Sequence, residues 1–75
     1  AVEQQAYAKA AKLFAKAAKA SDNNLTAPLY LYKQALAEQA AGNRTQAAAL
    51  CERILADYPM SMEASQAEKL LGGVN

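Results

Sequence analysis

The chain has 75 residues, enough for one domain at most, and twenty of them are alanine, so its 53% hydrophobic content overstates the core. A chain this short buries only about 60% of the surface its unfolded form exposes. Its formal net charge of +1 excludes the strongly basic balance of a nucleic-acid binder, and the lone Cys51 excludes an internal disulfide.

The charge is unevenly spread. Residues 1–19 hold four lysines and one glutamate, whereas the remainder holds four basic and six acidic residues. Alanine favours helix because it loses no side-chain rotamer entropy. It supplies little apolar area, so alanine-rich helices must pack closely to gain stability. With two prolines and three glycines, most of the length reads as ordered helix. The opening at Ala1 without methionine leads us to expect a processed chain or an excised segment.

The first helix is predicted over 3–20. Tyr7, Ala10, Phe14 and Ala17 share one side, joined by Leu13. Lys9, Lys12, Lys16 and Lys19 recur at spacings of three and four as a second stripe. That stripe reads as a solvated face whose stems cover alanines. An anionic contact surface is the alternative. An alanine-rich apolar face could drive little insertion into a lipid surface, and no apolar run approaches the roughly 20 residues of a span.

Ser21–Asn24, SDNN, is the first break, because these side chains compete for backbone hydrogen bonds. Thr26 is the expected N-cap of the second helix, about 27–41, with Pro28 tolerated in its first turn. Asn24-Leu25-Thr26 spells the N-glycosylation pattern, though so short a motif arises readily by chance. Leu31 and Ala35 lie on one side of the second helix; Leu29, Tyr32, Leu36 and Ala40 lie on another. Two apolar faces imply more than one neighbour.

Ala41–Pro59, AGNRTQAAALCERILADYP, organises the chain. Gly42 suits the left-handed residue that ends a helix. Asn43 and Gln46 have the spacing of a capping box. A third helix, about 44–58, then carries Ala47, Cys51, Ile54 and Leu55 on one face. Pro59 stops it. In that position Cys51 reads as a small buried hydrophobe, with a reactive or pairing thiol as the alternative. Ser61 caps a short fourth helix, 62–72, with Glu63 near its positive end and Ala64, Ala67, Leu70 and Leu71 along its edge. Gly72-Gly73 is expected to stop it, leaving Val74-Asn75 frayed. No segment shows the period-two alternation of a strand.

Residues 28–61 resemble a tetratricopeptide repeat, a helix–turn–helix unit of roughly 34 residues. The resemblance rests on Gly42 at the turn, Ala47 where the helices cross, and Pro59 at the close. Ala10, Phe14 and Ala17 echo the second helix of a preceding unit, and Ala10-x3-Phe14 precedes Ala47-x3-Cys51 by 37 residues. The surplus fits in the Ser21–Ala27 linker. Leu31, Gln34, Ala35 and Glu38 depart from the tryptophan, leucine, glycine and tyrosine of the family's first helix. Arg44 and Ile54 depart from its second.

The resemblance implies an all-α fold of antiparallel hairpins of the α-α superhelix type, in one domain spanning 1–75. Within it, 3–20 would be the second helix of an incomplete repeat, 28–61 one complete repeat, and 62–72 a capping helix. The run ILADYPMSMEASQAEKLL resembles the C-terminal segment of bacterial cell-envelope members of the family. It implies a periplasmic or envelope-associated location through an N-terminal anchor missing from this segment; a cytoplasmic location is the alternative.

The expected function is a non-catalytic scaffold that binds a peptide or partner protein on its first-helix face, at Tyr32, Lys33, Leu36 and Gln39. Ordinary packing of Tyr32 and Leu36 competes with that reading. The alternative is a C-terminal cap or oligomerisation segment of a longer solenoid. An unpaired first helix leaves a surface around Tyr7 and Phe14, which implies a homodimer through that helix, a rearranged packing, or a chain cut from a longer array. Catalysis has no support: there is no histidine, no phosphate loop, no metal-spaced cluster and no base for Cys51. Glu52 and Asp57, like Glu63 and Glu68, are five residues apart and point in different directions. No cofactor is expected, and no nucleic acid either, since the aromatics nearest the lysines, Tyr7 and Phe14, are expected to face the core and form no stacking platform.

Overall fold

A computed structural model describes residues 2–21, 23 and 25–74, and side chains within 5–72 of that set. It is all-α. The helices are α1 (Val2–Ala20), α2 (Thr26–Ala40), α3 (Arg44–Asp57) and α4 (Met62–Val74). Among the described residues there is no strand. The expected roles of Asp22, of Asn24 in the glycosylation pattern, and of Asn75 fall outside the described residues.

Each helix packs on the next, and α2 also touches α4, whereas the backbone of α1 approaches α2 alone and faces α3 only across a cleft lined by Ala18, Lys19, Leu50 and Tyr58. The Cα envelope measures 36 × 28 × 14 Å. A helix has a Cα radius of about 2.3 Å and packed axes lie about 8–10 Å apart, so the thin dimension is two layers deep. The core joins Leu31 and Ala35 of α2, Cys51 and Ile54 of α3, and Ala64 and Ala67 of α4. Tyr32, Leu50, Leu55, Tyr58, Leu70 and Leu71 close around it.

The α2–α3 turn forms because Gly42 takes φ 92°, a conformation that costs other residues a Cβ clash. Its N–H donates to the Gln39 carbonyl at 3.1 Å, and the Asn43 N–H donates to the Glu38 carbonyl at 2.8 Å. This is a Schellman closure, which satisfies carbonyls that a helix end otherwise leaves open. Ala47 is fully buried. At the α3–α4 turn Tyr58 leaves the helical region before Pro59, at φ −134° and ψ 54°, and ends α3. Ser61 Oγ accepts from the Ala64 N–H at 3.1 Å, so it caps α4 as expected.

Four local expectations are corrected. Leu25 rather than Thr26 holds the N-cap position of α2, and Asn23 ahead of it supplies the acceptor: its Oδ1 accepts from the N–H groups of Leu25 and Thr26 at 2.9 and 2.7 Å. Thr26 is already helical, and its hydroxyl bonds to Ser21 and to Asn23. No Asn43–Gln46 capping box forms: the Asn43 N–H that Gln46 would reach donates to the Glu38 carbonyl, and Asn43 Nδ2 donates to Glu38 Oε1 at 3.2 Å. Gly72 and Gly73 do not stop α4, which continues to Val74. Glycine lowers helix propensity by about 1 kcal/mol without blocking a helix sterically.

The fourth correction concerns α1. Its most buried residue is Ala11, and Leu13 is 66% exposed. Ala8, Ala11, Ala15 and Ala18 follow helical spacing toward α2, next to Gln34, Glu38 and the core. Small side chains let the two backbones approach, and the larger ones are turned aside.

Candidate functional site

The sequence nominated four residues on α2, and Leu36 stands at their centre. Tyr32 and Lys33 precede it by four and three residues, and Gln39 follows by three, so all adjoin it on the helix surface. Leu36 is 41% exposed. Tyr32 is half-buried and packs against the core with part of its ring. Gln39 is half-buried toward the same flank.

Lys33 is exposed on the other flank, with its Nζ 6.0 Å from the Phe14 ring centroid. That distance is at the outer limit of a cation–π contact. Phe14 of α1 is thereby brought beside the α2 strip and is half-buried. Tyr7, two turns earlier, is 45% exposed. The surface of Leu29, Tyr32, Leu36 and Ala40 is thus partly open: the first two are half-buried and the last two are exposed.

Two features escaped the sequence reading. Glu38 is buried, and its carboxylate accepts from Asn43, tying α2 to the turn. Buried polar groups need such partners, and among the described side chains no buried polar atom lacks one. The signal was available as Glu38 five residues before Asn43, across a glycine turn.

The second feature is a groove of about 600 Å³ at the end where α3 turns into α4. Leu25, Tyr58, Pro59, Met60 and Met62 line it, with Asp57 and Glu63 at its rim. Three of these apolar side chains are largely exposed, although none belongs to a periodic stripe. Asp57 Oδ2 lies 3.6 Å from Arg53 Nε, an exposed pair one turn apart.

Cys51 is fully buried in α3. Burial pushes its thiol up from the ordinary value, and neighbouring Glu52 adds to the shift. The proton therefore stays on sulfur at neutral pH, which suits a packing role. Among the described residues no group of histidine, cysteine or carboxylate side chains is spaced to hold a metal ion. No described helix is long and apolar enough to cross a membrane. Lys9, Lys12, Lys16 and Lys19 are all exposed along α1. Comparison with family models, curated proteins and solved structures finds no match to this chain.

Proposed function

We propose that this chain is a tetratricopeptide-like binding module, non-catalytic, that holds a peptide or protein segment along the exposed strip of α2. The observation that carries the reading is Leu36, a large apolar side chain 41% exposed in the C-terminal half of α2. Tyr32 beside it supplies a second apolar surface already fixed by core packing, so little side-chain entropy is lost on binding. Lys33 and Gln39 give charge and hydrogen bonding at the edges.

The repeat-like reading is supported by the order of helix packing and by the Gly42 turn. Buried Ala47 and the stop before Pro59 add to it. Selection of a displayed peptide library against the folded chain tests the proposal. We expect enriched peptides whose affinity falls at least tenfold in Leu36→Glu or Tyr32→Ala, with circular dichroism unchanged in Leu36→Glu. Peptides that bind both variants undiminished, or no enrichment, would contradict it.

A second reading, a cap or oligomerisation segment of a longer solenoid, is favoured by α1. The backbone of that helix approaches one neighbour, α2, and Leu13 and Tyr7 are left exposed. The bacterial envelope setting rests on the Ile54–Leu71 run alone, and cell fractionation checks it.

A further inference from the structure

Two exposed apolar features lie on different elements, and their surroundings carry opposite charge. The first is Leu13 on α1. Lys9 stands four residues before it and Lys16 three after, so both adjoin it on the helix surface. Lys12 and Lys19 extend the same basic flank. On the other side of Leu13 run Ala6, Ala10 and Ala17, small enough to let another chain approach.

The second feature is the groove at the α3–α4 turn. Leu25, Met60 and Met62 are 83%, 95% and 80% exposed. Methionine adapts its unbranched side chain to a partner's shape, so such a lining accepts an apolar knob without exact fit. Asp57 and Glu63 stand at the rim, and no lysine or arginine lines the groove. Arg53 tempers Asp57 from outside. Neither feature is used by the α2 strip.

We infer that the two features meet between copies: Leu13 and its lysines on one chain seat in the Leu25–Met60–Met62 groove of the next. The chain does not make this contact within itself: Leu13, Met60 and Met62 are all largely exposed, and the backbone of α1 approaches neither α3 nor α4. Charge decides against the symmetric alternative. An antiparallel α1–α1 pairing about Leu13 would set the lysine flank against its own copy, and like charges repel. The groove instead offers two carboxylates to those lysines, and electrostatic complementarity of this kind fixes partner and register.

A contact between two different patches is heterologous, so it repeats head to tail unless the rotation closes a ring. Association should be weak, because one knob and an eight-residue groove fall short of a standard interface. It should also weaken with salt, which screens the exposed charges. This inference gives the oligomerisation reading a geometry and does not depend on peptide binding at Leu36.

The test is sedimentation equilibrium from micromolar to millimolar chain at low ionic strength. Two variants are used, Leu13→Glu and the double variant Met60→Glu/Met62→Glu. All three positions are exposed, so circular dichroism should be unchanged; if Leu13→Glu unfolds, Leu13→Gln replaces it. We expect the mass of the wild-type chain to rise above 7.9 kDa with concentration and to fall back at high salt.

Each variant alone should remain monomeric, since each has lost one half of the contact. Mixed in equal amounts, the two retain one intact knob and one intact groove, and should form a dimer that grows no further. Leu36→Glu should associate like the wild type. A wild-type chain that stays monomeric at millimolar concentration overturns the inference and leaves the groove to another partner. Variants that fail to combine, or a groove variant that still self-associates, overturn it as well.

Discussion

Helices α2, α3 and α4 are held differently from α1. The first three share a core in which Leu31, Cys51 and Ile54 fill the space between alanines. α1 lies against α2 through Ala8, Ala11, Ala15 and Ala18. Burying apolar area contributes roughly 25 cal/mol per Å², so a large aliphatic side chain outweighs several alanine methyls. Close helix approach and solid packing are therefore separate achievements. α1 has the first; the α2–α4 unit has both.

Substitutions in the core should damage the whole fold, and Ile54→Ala should do most. It removes the largest fully buried side chain and leaves a cavity, at a cost of about 2–4 kcal/mol. In a domain of this size that loss should appear in urea titration as a large fall in midpoint or as no folded baseline. A midpoint near that of the wild type would erase the contrast with α1.

Gly42→Ala should come next, costing about 1–2 kcal/mol, because φ 92° forces a Cβ against the following carbonyl. Thermal unfolding followed by circular dichroism checks it. Asn23→Ala acts at the α1–α2 junction. It removes the acceptor of two backbone N–H groups, at about 1 kcal/mol. Thr26→Ala should cost less, since its hydroxyl is not the α2 cap.

The smallest effect should come from pH. The Cys51 thiol is pushed above its ordinary value of 9.0 in the folded chain, by burial first and Glu52 second. The folded state therefore holds its proton more tightly than the unfolded state. The resulting stability is fully present below about pH 9 and is lost as pH rises through the folded value. Denaturant midpoints should decline across that alkaline range, and Cys51→Ala should flatten that part of the decline.

The same contrast explains what could be read from the sequence. The turns were legible because glycine, proline and serine have particular backbone chemistry, as at Gly42, Pro59 and Ser61. The core faces of α3 and α4 were legible because Cys51, Ile54, Ala64 and Ala67 recur at helical spacing. α1 was not, since alanines surround most of it. Tyr7, Ala10, Phe14 and Ala17 have the same spacing as Ala8, Ala11, Ala15 and Ala18, and hydrophobicity favours the aromatic set. Closeness of approach favoured the alanines. Asn23 and Thr26 are both competent caps, and only the path of the linker chooses between them.

For the candidate site, Leu36 and Tyr32 were legible as a second apolar face on α2. The groove at Met60 and Met62 was not, because its residues come from two turns and carry no period.

Native-state hydrogen exchange, resolved by residue, tests most directly whether α1 is held more weakly than the rest. Amides in the middle of α1 should open at a lower free energy than those around Leu31, Cys51 and Ile54, as a separate unit. Equal protection in α1 and in α2–α3 would contradict the account, showing that the alanine contact alone secures α1 as firmly as the aliphatic core secures its neighbours.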